Sequence, residues 1–312
     1  MADTLSFLRH SVITDPGAYA CWFDSLPDDL ARIPETLAGF LVNYETDRHL
    51  IDDDLIARRG GEIDLRWVSS IMRRAIELDA SPLAVARQPD RRVLCTCRDT
   101  AVLLCSILRH RAIPARVRFG FHHYLYRSNL PPHDHVIVEY FRDGRWRYLE
   151  SRFSPSFEER CNLFGIPPDN FPPELFWPAS EAWRRIRSGE SSAGAYAGVG
   201  ADAKQGLRRV RSQVLADMAS LSGYEPLIWD SFGPALEAPP DVDIDNVRQL
   251  RELDMLASLD TDGQIAWMRD HGIRLLSPGD RIVSFSPVRG LYRTEAGPAT
   301  EQTSATGLEM SR

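Results

Sequence analysis

Apolar positions keep three different rhythms along the chain. Up to about residue 90 they recur at mixed three- and four-residue steps with charges between them, most clearly over 47–57 and 65–78. This predicts a mostly helical N-terminal part, 1–90. Over 91–153 a short apolar stretch leads into an amphipathic helix and then into alternating runs, which predict strands. Prolines and aromatics crowd 155–178, an irregular segment expected to wrap over a surface. Helices are predicted again around 180–188, over 207–221 and within 244–275, as a helical C-terminal extension over 155–290. The Gly-, Ser- and Ala-rich stretch 188–206 reads as a loop or lid, and the Pro-rich 234–240 as a local boundary. Residues 291–312, small and polar from about Ala296, read as a disordered tail. There is no internal repeat, and the expected organisation is one domain over 1–290 built round the 91–153 core.

The helix heading that core carries the first candidate chemistry. Thr96 followed three residues later by Asp99 is a capping-box start. Cys97, Ala101, Leu104, Cys105, Leu108 and Ala112 then fall on one helical face. Arg109, His110 and Arg111 occupy the last turn, where positive charge suits the helix dipole, and Pro114 stops the helix. Cys97 is thus the first helical residue, where unpaired backbone N–H groups favour a thiolate. Asp99 works against that charge and Arg98 offsets it. Two readings fit: Cys97 is a nucleophile, or it merely begins a buried helix, as Cys105 fills its core face. Cys95 and Cys97 taken with His122 or His123 lack the two-residue spacing of a metal site.

A base for such a nucleophile is found in the alternating runs. Val136, Val138 and Tyr140 alternate with His135, Ile137 and Glu139, and Asp143-Gly144 is the signature of a two-residue type I′ hairpin. That turn sets Arg142 opposite Arg145, Ile137 opposite Glu150 and His135 opposite Arg152. His135 and Glu150 are then diagonal neighbours on one face, about 7–8 Å apart at the backbone, within side-chain reach. A carboxylate is placed where it can orient an imidazole. Read singly, His135 fits a surface strand histidine and Glu150 an ordinary partner of Arg152.

Composition narrows the setting. The chain has 312 residues with 43% hydrophobic and 26% charged positions, and no run approaches the roughly 18–20 apolar residues of a membrane span. Asp3 sits where an export signal would be basic, and a cytoplasmic protein is expected. The net charge of −7 argues against nucleic acid as partner. The five cysteines are odd in number and sparse, which suits free thiols. Lys204 is the single lysine, so self-crosslinking through lysine is not expected.

The run CRDTAVLLCSILRHRAIPARVRFGF, then DHVIVEYF, then GRWRYLES resembles the transglutaminase-like superfamily of papain-type thiol proteins. PLAVARQPDRRVLCTCRD, DNFPPELFWPASEAWRRIRSGE and LADMASLSGYEPLIWDSFG are similar to segments of a bacterial subgroup of about this length. The resemblance implies an α+β fold, with a nucleophile helix packed on an antiparallel sheet and additional helices at both ends. It implies Cys97 as nucleophile, His135 as general base and Glu150 as the orienting carboxylate. Glu150 stands where the family usually has Asp, Ile137 where it often has Trp, and Ala112 where its turn usually has Gly. The activity implied is acyl transfer through a thioester, with amide formation on a small-molecule or carrier-bound acyl substrate. Alternatives are a thiol hydrolase (amidase or peptidase) and a non-catalytic binding protein on the same fold. The acceptor is an amine or water. No cofactor, metal, nucleic acid or membrane is implied, and the acidic run Asp52, Asp53, Asp54 reads as a solvated helix face, not a calcium loop.

Overall fold

The structure is a computed structural model that describes residues 4–124, 132–196, 206–233 and 247–298. It is an α+β arrangement, with helices and strands mixed along the chain. No helix among the described residues is long and apolar enough to cross a membrane. Short 3-10 turns and the helices α1 (Ile33–Ala38), α2 (Asp53–Arg59) and α3 (Val68–Leu78) make up the N-terminal part. The predicted 47–57 helix is shorter than its pattern. It begins only where Asp52 caps it, its carboxylate accepting the Leu55 N–H at 2.7 Å. Between these helices β1 (Leu41–Asn43) pairs in parallel with β2 (Val93–Cys95), which delivers the chain to α4 (Cys97–His110).

Helix α4 starts and stops by local chemistry. Asp99 Oδ2 accepts the Thr96 N–H at 2.8 Å and the Thr96 hydroxyl at 2.9 Å. At the other end the Ile113 N–H returns to the Leu108 carbonyl at 2.9 Å and the Ala112 N–H to the Arg109 carbonyl at 3.0 Å, a Schellman closure. That closure puts Ala112 at φ 56°, in the left-handed region where a glycine would be unstrained. The helix therefore ends before Pro114 acts.

The strands β3 (Ala115–His122), β4 (His133–Arg142), β5 (Arg145–Leu149) and β6 (Phe176–Pro178) form a sheet in the order β5-β4-β3-β6. Asp143 and Gly144 turn at φ 53° and 76°, and Arg142 pairs with Arg145, Phe141 with Trp146 and Val138 with Leu149. This is the register the hairpin signature predicts, but the ladder ends at Val138–Leu149, so the expected pairs Ile137–Glu150 and His135–Arg152 do not form; the Glu150 N–H turns to the Pro168 carbonyl instead. Val117, Phe119, Phe121, Val136, Val138 and Leu149 join the apolar side chains of α4 in the main core. Ile137 and Phe176 belong to a second cluster with Tyr124, Phe157, Cys161, Leu163 and Phe171. Burial on both faces explains why β3 is buried along its whole length.

The 155–178 segment is less irregular than expected. It contains a helix, α5 (Pro155–Cys161), and the edge strand β6. Its wrapping role is real: Phe171 N–H bonds the Tyr148 carbonyl at 3.1 Å, and the Glu150 N–H bonds the Pro168 carbonyl at 3.0 Å. Because β6 reaches only Gly120–His122, the outer edge of β3 is open over its first half, and α7 (Leu207–Leu221) closes it after α6 (Ala179–Arg187). Asp217 Oδ1 accepts the Phe119 N–H at 2.8 Å and Ser220 Oγ donates to the Val117 carbonyl at 2.7 Å, satisfying a sheet edge with side chains.

The C-terminal extension is not purely helical. After α7, β7 (Asp230–Phe232) pairs with β8 (Arg281–Ser286), and β8 with β9 (Gly290–Glu295), while α8 (Val247–Ser258) and α9 (Thr261–Asp270) intervene. The start of the expected disordered tail, 291–312, is instead ordered, since Gly290–Glu295 is a strand. Buried Arg66 fastens this sheet to the N-terminal part through both carboxylate oxygens of Asp230. The expected Pro-rich boundary at 234–240, most of the tail and the core of the expected lid (197–205) lie outside the described residues.

Candidate active site

Cys97, His135 and Glu150 come from three elements that the fold brings to one place. Cys97 is the first residue of α4 and is half-buried. His135, on β4, is 1% exposed, and Glu150, one residue past β5, is fully buried. His135 Nε2 lies 2.9 Å from Glu150 Oε2, and the Cys97 side chain acts on the same imidazole, raising its value. With Nε2 committed to the carboxylate, Nδ1 is the nitrogen left for the thiol. Thr100, on the first turn of α4, holds the Cys97 carbonyl through its hydroxyl at 2.8 Å and meets Ser151 Oγ at 3.1 Å. The helix tip is therefore tied to the residue next to Glu150.

The electrostatics follow from burial and charge together. Burial alone would lower the His135 value, but the Glu150 carboxylate and the Cys97 contact outweigh it and lift it to about 9. Burial would raise the Glu150 value, and His135, Tyr124 and the Arg152 N–H together hold it below the usual range. Both effects favour the charged form of the imidazole. Because the His135 value is raised on folding, its pairing stabilises the folded chain fully below about 6.5 and fades as pH climbs through about 9.

Several surrounding groups carry no periodic signature in the sequence. Arg152, expected opposite His135, lies past the end of the β4–β5 ladder. Its N–H bonds Glu150 Oε1 at 2.9 Å, its guanidinium stacks 4.9 Å from the Phe157 ring centre, and its charge is favoured by Asp47, Cys97 and Glu150 against burial. Arg209, in the first turn of α7, is 5% exposed, pairs with Asp134 beside His135 and donates to the Ile228 carbonyl at 3.2 Å. Burial works against its charge while the Cys97 sulfur favours it. Tyr124, just past β3, donates its hydroxyl to Glu150 Oε2. Gly120 faces His135 across the β3–β4 ladder; a side chain there would collide with the Trp177 carbonyl and the Phe176 ring, so only glycine lets Phe176 close over the imidazole.

Arg98 and Cys105 have other tasks. Arg98 is wholly buried, pairs with Asp99 at 3.1 Å and donates to the carbonyls of Arg66 and Glu225 at 2.8 and 2.6 Å, stitching α4 to the rest of the chain. Cys105 lies in the core, and burial pushes its thiol up to about 12. Among the described residues no group of histidine, cysteine and acidic side chains is arranged to hold a metal.

A comparison with protein families finds no match, and neither does one with curated proteins. Among solved structures, the chain is similar to a candidate cysteine protease from Cytophaga hutchinsonii, at 14% identity and a TM-score of 0.32. The match covers 55% of this chain and 47% of that one, about half the length of the other protein. At that distance the chemistry has to be read from the site itself.

Proposed function

We propose that this chain is a cysteine-dependent acyltransferase on a transglutaminase-like core, working through a thioester on Cys97. The observation that carries the reading is the 2.9 Å contact of His135 Nε2 with Glu150 Oε2, on an imidazole whose charge the half-buried Cys97 at the tip of α4 also favours. In the first half-reaction the Cys97 sulfur attacks the acyl carbon, a C–S bond forms, and His135 gives its proton to the departing group. The Cys97 backbone N–H, at the start of α4, is available to the oxyanion. In the second half an amine attacks the thioester, its proton passes to His135, the C–S bond breaks and an amide leaves. Glu150 keeps the imidazole in one tautomer and orientation throughout.

Amine is the acceptor we favour, as the resemblance implies, and Tyr124, His122 and Phe176 pack against the imidazole and shield the His135–Glu150 pair from bulk water. Hydrolysis is the second reading, favoured by the half-buried state of Cys97 itself. The two are separated by partitioning. With an aryl thioester as acyl donor, a small primary amine added at rising concentration is expected to divert product from free acid to amide, while total turnover stays constant or rises. Free acid formed at an amine-independent rate would make the protein a hydrolase. No covalent adduct on Cys97 with any acyl donor would favour the binding-protein reading.

A further inference from the structure

Glu150 is held by more than the histidine it serves. Its Oε1 accepts the Arg152 N–H at 2.9 Å, while Oε2 accepts both His135 Nε2, at 2.9 Å, and the Tyr124 hydroxyl. The Tyr124 ring is itself immobilised, with ring centres 5.2 Å from Phe171, 6.2 Å from Phe157, 4.7 Å from His122 and 6.0 Å from His135. A glutamate has one more rotatable bond than an aspartate, and so needs more fixing to present its carboxylate in one place. We propose that Tyr124 is a positioning residue of the reaction, a buried phenol that clamps Glu150 and shares the oxygen that orients His135. The relay is then four side chains long: Cys97, His135, Glu150, Tyr124. Burial and the Glu150 charge both disfavour the phenolate, so Tyr124 remains a donor throughout the working range.

This inference rests on the reading of Cys97, His135 and Glu150 as the reacting set. Removing the phenol has two separable consequences. The carboxylate loses a fixed contact, which lowers turnover, and the charge on Oε2 is no longer shared, which strengthens its hold on the imidazolium. The groups facing this pair are Cys97 from α4, His122 from β3, His133 from β4, Arg152 after β5 and Cys161 from α5, and all are unchanged by the substitution.

The test is Tyr124→Phe, alone and combined with Glu150→Asp. Tyr124→Phe is expected to lower kcat by about tenfold to a hundredfold with KM nearly constant. It is also expected to move the alkaline limb of kcat/KM, near pH 9 in the parent, upward. The low-field NMR signal of the His135 ring proton should move with it. The double variant should lose little more than the worse single one. An unmoved limb and an unmoved ring-proton signal would overturn the proposal, as would strictly additive losses. Should Tyr124→Phe fail to fold, 3-fluorotyrosine at position 124 keeps the shape with a stronger donor, and the limb should then move down; an unmoved limb counts against the clamp. An active Cys97→Ala variant would instead sink the reading of the site, and the ring-proton signal would still report whether Tyr124 shares Glu150.

Discussion

Glu150→Gln is expected to lower kcat by roughly a thousandfold or more, with the chain still folded. Glutamine fills the same space and can meet His135, but it carries no charge and presents either an oxygen or an NH2 group to the ring. The wrong tautomer is no longer excluded. The pH profile should shift as well, and its sign follows from the causes of the His135 value. Burial lowers that value, and the Glu150 charge is the leading influence raising it to about 9. Without the charge the imidazolium loses its proton at lower pH, so the alkaline limb of kcat/KM should move from near 9 toward 6.5. The stabilisation that His135 contributes at neutral pH is lost with it. A variant with full turnover, or an alkaline limb that stays put, would show that the carboxylate does not govern the ring.

Asp217→Ala is expected to destabilise the fold by about 3–5 kcal/mol. Asp217 is fully buried and meets the equally buried Arg118 through two bonds, Nε to Oδ1 at 3.0 Å and Nη2 to Oδ2 at 2.9 Å. Truncation leaves Arg118 with Glu139, itself shared with Arg116 at 2.7 Å, and leaves the Phe119 N–H at the sheet edge without its acceptor. The consequence reaches the site, because β3 carries Gly120 opposite His135. Urea unfolding of the variant measures the loss. A change below about 1 kcal/mol would mean that α7 does not hold the edge of β3. Replacing Arg118 as well, by Met, should recover part of the loss, since the uncompensated charge is then gone.

What could be read in the sequence was local, and what could not was set by distant partners. Two residues, Asp143 and Gly144, determine the hairpin register up to Val138–Leu149, and Glu150, the next residue, meets His135 at 2.9 Å. Thr96 and Asp99 fix where α4 begins, and so place Cys97 at its tip. Tyr124 escapes such reasoning because it lies past the end of β3, where strand alternation no longer says which way a side chain points. Arg209 is brought in by α7, more than a hundred residues beyond Cys97, and no spacing rule connects them. The hairpin β8–β9 was hidden by its own composition. Ser284 and Ser286 occupy buried positions where an apolar alternation would have announced a strand.

The central claim is that His135, held by Glu150, makes the Cys97 thiol a nucleophile. The most direct measurement is the rate at which each cysteine is alkylated by iodoacetamide at pH 6, followed by peptide mapping, with the exposed Cys21 as internal reference. Cys97 should react well ahead of Cys21 although it is less exposed, and should lose that lead in His135→Ala and Glu150→Gln. Cys97 reacting no faster than Cys21, or keeping its lead without His135, would contradict the account.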